Sequence, residues 1–125
     1  MPYYYKAERN RSNFLKVSTT SLVKLLILHL LNNHDYYGNQ LIENISNIFD
    51  KKWEPSPGMI YPLLRDLEDK GLIKGWWTEP DKKSKRYYKI TDKGIDHFKI
   101  IKRNYKPILD NSLNMIYNVL NIVYK

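Results

Sequence analysis

The apolar period changes once between Ser56 and Ile90, and that change limits the possible folds more than any other feature of the chain. Ile60, Leu63, Leu64 and Leu67 recur at helical spacing, and Ser56-Pro57 ahead of them offers a hydroxyl cap and a proline at the first helical position. Gly71 then suits a left-handed C-terminal cap. From Leu72 the pattern alternates, with Ile73, Gly75 and Trp77 on one face and Leu72, Lys74, Trp76 and Thr78 on the other. A charged turn, Glu79-Pro80-Asp81-Lys82-Lys83-Ser84, leads into the aromatic and β-branched run Lys85 to Ile90, which predicts a hairpin.

Two more helices are predicted upstream. Ser18, Thr19 and Thr20 can cap a segment from Leu22 to Leu31 that is apolar nearly all round, which places it at the centre of the core. After the turn-like Asn32-Asn33-His34-Asp35, the spacing of Leu41, Ile45, Ile48 and Phe49 predicts a second helix whose other face is polar. Downstream, Thr91 can cap a last helical region, which Pro107 is expected to kink or break. Three short helices followed by a hairpin is the order of a winged helix-turn-helix, so the expected fold is mainly α with a β-hairpin wing and a C-terminal dimerisation helix. Residues 1–17 read as a basic arm or short helix, 18–91 as the DNA-binding domain and 92–125 as the dimerisation region.

Charge gives this order a partner. The chain carries 21 Lys and Arg against 13 Asp and Glu, a formal net charge of +8, which favours a polyanion without naming one. Lys82, Lys83, Lys85 and Arg86 stand together at the hairpin tip, where an element tracking a phosphate backbone needs cations. In this geometry Ser56, Gly58, Met59 and Tyr61 face base edges and phosphates, and Arg65 follows one turn later. The bland reading leaves Ser56 a cap, Tyr61 a partly buried aromatic and the charge run a solvated loop. Double-stranded DNA is the preferred partner; a protein-interaction module, or a ligand- or RNA-binding protein on the same scaffold, stays open.

The residues also carry a resemblance. Tyr37-Gly38, the run Ser56-x-Gly58-x-Ile60-Tyr61-Pro62-Leu63-Leu64-Arg65-x-Leu67-Glu68-x-x-Gly71-Leu72-Ile73, then Trp77-x-Glu79 and Arg86-Tyr87-Tyr88-x-Ile90-Thr91-x-x-Gly94 resemble the PadR family pattern. The resemblance covers Thr19 to Phe98 and adds Tyr37 to the DNA-facing set. It implies a transcriptional regulator, usually a repressor, that binds a palindromic operator as a dimer joined through C-terminal helices; some members respond to phenolic acids or hydrophobic drugs. Met59 stands where many relatives have Thr, and the wing tip carries Lys82-Lys83-Ser84 where they have a Gly- or Pro-rich stretch. With about thirty residues after Gly94, the chain is similar to the smaller subgroup.

The C-terminal segment argues for a homodimer independently. Phe98, Ile101, Tyr105, Leu109, Leu113, Ile116, Tyr117 and Leu120 form an apolar face larger than one small domain can cover, and such faces mark interfaces. Trp76 and Trp77 fall on opposite strand faces, so Trp76 with Phe98 and Tyr105 is a candidate pocket for a small aromatic or hydrophobic effector at the dimer interface, against the plainer reading of packing. Enzymatic readings find little material. His29, His34 and His97 lack metal-ligand spacing, the five glycines stand singly, and there is no cysteine, so no catalytic residue, metal or cofactor is expected. The Leu22–Leu31 run is too short to span a bilayer and Met1 to Lys6 hold no apolar signal core, so the expected location is the cytoplasm, away from membranes.

Overall fold

The computed structural model describes residues 15–79 and 85–125. Lys82, Lys83 and the arm up to residue 14 therefore lie outside the described residues. The elements run α1 (Thr19–Asn33), β1 (Tyr36–Tyr37), α2 (Gly38–Ile48), α3 (Pro57–Asp69), β2 (Ile73–Trp77), β3 (Arg86–Ile90) and α4 (Asp92–Val123). Ser18 caps α1, its hydroxyl accepting the Ser21 amide at 3.1 Å, and α1 contributes Val23, Ile27, Leu28 and Leu31 to the core. Leu41, Ile42 and Ile45 of α2, Ile60, Leu64 and Leu67 of α3, and Leu72, Ile73, Tyr88 and Phe98 close round them.

Backbone chemistry at the end of α3 fixes where the hairpin starts. Gly71, with φ +74°, takes the left-handed conformation, the Gly71 amide bonds the Glu68 carbonyl at 2.9 Å and the Leu72 amide bonds the Leu67 carbonyl at 3.0 Å. These two bonds form a Schellman motif and satisfy carbonyls that the helix end leaves open. The Leu72 carbonyl then receives the Thr91 amide at 3.1 Å and the Thr91 hydroxyl at 3.0 Å, while that hydroxyl also lies 2.7 Å from the Gly71 carbonyl. The same oxygen of Thr91 caps α4 by accepting the Gly94 amide at 3.0 Å. A Cβ on Gly94 would lie 1.9 Å from the Leu72 carbonyl oxygen, so only glycine lets α4 leave this junction.

The sheet is antiparallel with order β1-β3-β2. Register places Tyr36, Tyr88 and Gly75 side by side facing the core, and Tyr37, Tyr87 and Trp76 side by side on the opposite face. The third strand, β1, has two residues, too few to show alternation in the sequence. At Pro107 the structure shows no break, for α4 continues as helix through it over 32 residues. Proline deprives the Arg103 carbonyl of its partner, but both residues are exposed, and water can satisfy that carbonyl. Beyond it, the Ser112 hydroxyl reaches the Leu15 carbonyl at 2.5 Å and ties the chain ahead of α1 to α4. Among the described residues, no helix is long and apolar enough to cross a membrane.

Near the start of α4, His97 has a buried Nε2 that lacks a hydrogen-bond partner among the described residues. Burial holds its imidazole below the ordinary histidine value, and Lys24, Lys70 and Lys93 push it the same way. The unfolded chain thus binds this proton more readily than the folded one. Above about pH 6.5 both states are neutral and His97 has no effect; below it the folded state loses stability progressively. Urea midpoints are expected to fall between about pH 7 and pH 5.5. His97→Gln should flatten that fall, and an undiminished slope in the variant would exclude His97 as its source.

Candidate nucleic-acid interface

α3 presents its buried stripe, Ile60, Leu64 and Leu67, to the core, which turns Ser56, Gly58, Pro62, Arg65, Asp66 and Asp69 to solvent. Ser56 holds the N-cap position, yet its hydroxyl makes no cap bond, contrary to the role expected from sequence. Its cap is made by the backbone alone, through the Ile60 amide on the Ser56 carbonyl at 2.9 Å. The hydroxyl is thus an exposed donor and acceptor at the front of the helix. Met59 is half-buried and packs against the core, which leaves less of it to face a ligand.

Tyr61 joins α2 to α3. Its ring lies over Gly38, where an added Cβ would stand 2.5 Å from Cε1, and its hydroxyl donates to Asn39 Oδ1 at 3.2 Å. Tyr37, just ahead, enters α2 with its amide donating to Gln40 Oε1 at 3.1 Å. The close approach of ring to glycine sets the spacing of the two helices.

The wing is attached by a different device. Arg86 crosses over Gly75, whose absent side chain leaves room for it: a Cβ there would meet Arg86 Nε at 2.8 Å. The guanidinium donates to Glu68 Oε2 of α3 at 2.7 Å, with both side chains about 70% shielded from solvent. It lies over the Trp77 ring at 5.3 Å and near the Tyr88 ring at 5.9 Å. Burial raises the Tyr88 phenol above its ordinary value, against the opposing effect of Arg86. Arg86, expected from sequence to meet phosphate, is paired with Glu68 and holds the wing to α3. At the base of the wing the Thr78 amide bonds the Lys85 carbonyl at 3.0 Å. The Lys85 ammonium is exposed and lies 5.2 Å from the centre of the Tyr37 ring.

Together these residues wall a cleft of about 790 Å³ between α3, the front of α2 and the wing. Tyr37, Tyr61, Arg65, Lys85 and Arg86, all expected at the site, line it, as do Asn39, Glu68 and Trp77, which were not among the expected site residues. Glycine inside a strand is the one signal that could have announced the Arg86 crossing.

Within one chain the trio expected for an effector is not brought together. Trp76 stacks on Tyr87 at 5.9 Å on the outer sheet face, Phe98 is buried in the core with His29 at 6.2 Å, and Tyr105 lines a groove with Ser21, Lys24 and Ile101. Phe98 thus serves its own domain, because the first turns of α4 lie on α1. Ile101, Tyr105 and Leu109 are half-buried, whereas Leu113, Ile116, Tyr117 and Leu120 are exposed.

Comparison with known proteins fits this geometry. The model of the transcriptional regulator PadR-like family matches residues 27–100. The chain belongs to this family. A transcriptional regulator of Escherichia coli (strain K12), YqjI, is 41% identical over 51 residues, which is 41% of this chain and 25% of that protein. The chain therefore spans about a quarter of the length of the curated relatives it matches. Among solved PadR-like and related structures, a transcriptional regulator from Clostridium thermocellum is 28% identical with a TM-score of 0.63, covering 84% of this chain and 95% of that one. Bacillus subtilis PadR in complex with operator DNA is 28% identical with a TM-score of 0.54, covering 62% of this chain and 43% of that one. Proteins of the PadR-like family are transcriptional regulators.

Gly38→Ala is expected to cost about 2 kcal/mol by driving the new methyl into the Tyr61 ring. In a Tyr61→Ala background the same change should cost less than about 0.5 kcal/mol. Equal costs in both backgrounds, by urea denaturation, would remove Tyr61 as the element that sets the α2–α3 spacing.

Proposed function

We propose that this PadR-like chain is a sequence-specific DNA-binding repressor that acts in the cytoplasm as a homodimer on a two-fold symmetric operator. The observation that carries this reading is the cleft between α3 and the wing, with Arg65 and Lys85 on its walls and the exposed front of α3 beside it. α3 enters the major groove with Ser56, Gly58, Tyr61 and Arg65 toward base edges and phosphates, and the wing follows the neighbouring backbone with Lys85 and, outside the described residues, Lys82 and Lys83. Similarity to a PadR solved with operator DNA supports the mode. Repression follows from covering the site.

Dimerisation rests on the far half of α4, where Leu113, Ile116, Tyr117 and Leu120 are 48–69% exposed. Apolar side chains at that density on one chain need a cover, and a second α4 supplies one. Two α3 helices would then address half-sites roughly 34 Å apart.

Selection from a random duplex library, followed by stoichiometry on the winning sequence, tests the reading. A symmetric site bound by two chains is expected; binding that shows no enrichment and vanishes with salt would replace it with the interaction-module reading. Lys85→Ala should weaken binding to all sequences and flatten the salt slope by about one unit. Leu120→Glu should shift the chain toward monomer in sedimentation and abolish two-chain binding, and an unchanged dimer would place the interface elsewhere.

A further inference from the structure

An acidic side chain stands inside a cleft proposed to face a polyanion. Glu68 lies on α3 facing the wing and accepts the Arg86 guanidinium at 2.7 Å. Taken alone, a carboxylate there should oppose DNA, and an arginine engaged with it is withheld from phosphate. The surroundings show that the pairing is built in. Gly75 leaves vacant the volume that Arg86 crosses, Trp77 and Tyr88 hold the guanidinium from the sheet side, and the pair spans from the fourth turn of α3 to the start of β3. Neighbouring cations are disposed differently, for Arg65 and Lys85 are exposed.

We infer that Glu68 and Arg86 are positioning residues for sequence-specific DNA binding: their ion pair, seated over Gly75, fixes the angle between recognition helix and wing. The inference rests on the DNA-binding reading above. A wing free to swing still brings its lysines to phosphates on any duplex, because that attraction needs no register. Phosphate contacts select a register only when they are made from a fixed position relative to the base-reading helix. The pair therefore acts on the ratio of specific to non-specific affinity and leaves the gross attraction intact. It also neutralises Glu68, which limits the repulsion that the carboxylate would otherwise exert.

The position of Gly75 allows a test that changes no charge. A methyl at 75 would meet Arg86 at Nε, Cζ and Nη2, the far end of a flexible side chain, so Gly75→Ala displaces the guanidinium rather than the backbone. E68Q and G75A are compared with the unchanged chain at one salt concentration, on the selected duplex and on a scrambled duplex, with thermal midpoints as a check on folding. Each variant is expected to lose about fivefold in affinity for the selected duplex while keeping or gaining affinity for the scrambled one. The double variant should lose no more than either single one, since both break the same pair. If E68Q instead binds both duplexes more tightly, Glu68 is only an electrostatic opponent and the inference is overturned. If G75A retains full discrimination with Arg86 displaced, it is overturned as well. An unchanged chain that does not discriminate the two duplexes would remove the DNA-binding reading, and the inference with it; failure of the variants alone leaves that reading standing.

Discussion

The carbonyl of Leu72 is where three elements are held to one another. It accepts the Thr91 amide and hydroxyl and lies against the Cα of Gly94, directly after the left-handed turn at Gly71 that ends α3. The end of the recognition helix, the start of the wing and the root of α4 are consequently set by one small group of backbone bonds. Each bond is worth on the order of 1 kcal/mol, but their arrangement removes alternatives that hydrophobic packing alone would tolerate. Lys93 reinforces the junction by donating its ammonium to the Lys70 carbonyl at 2.9 Å.

Two further contacts build on that junction, and both depend on a missing side chain. Tyr61 over Gly38 spaces α2 from α3, and the room over Gly75 lets Arg86 cross the wing to reach Glu68 of α3. In each case a large side chain occupies the place of an absent Cβ, so distances between elements are set by contact rather than by flexible loops. The aromatic row Tyr37, Tyr87 and Trp76 stiffens the outer face of the sheet, with Tyr37 edge-on to Tyr87 and Tyr87 stacked on Trp76. Lys74 and Lys89 are direct partners on that same face, a repulsive pairing that the aromatic contacts must outweigh.

Local chemistry explains what was legible in the sequence. Ser18, Pro57, Gly71 and Thr91 mark helix ends because capping is decided within a few residues, and Ile60, Leu64 and Leu67 mark a buried stripe because the period is local too. The Arg86–Glu68 pair joins residues 18 apart, and charge alone gave Arg86 the role of its exposed neighbours. Trp76, Phe98 and Tyr105 were grouped by residue type, whereas the fold distributes them over an outer sheet face, the core and a groove beside α1. A break at residue 107 does not occur because the position is exposed, where water can replace the bond that proline removes.

The unbroken course of α4 has a mechanical consequence. At 1.5 Å per residue its 32 residues extend roughly 48 Å from a root that Gly94 presses onto the Leu72 carbonyl. A tilt of about 5 degrees at that root moves the far tip by about 4 Å. The position of any surface carried at the tip is therefore set by how firmly α1, Phe98 and the Leu72 carbonyl seat the first turns of α4.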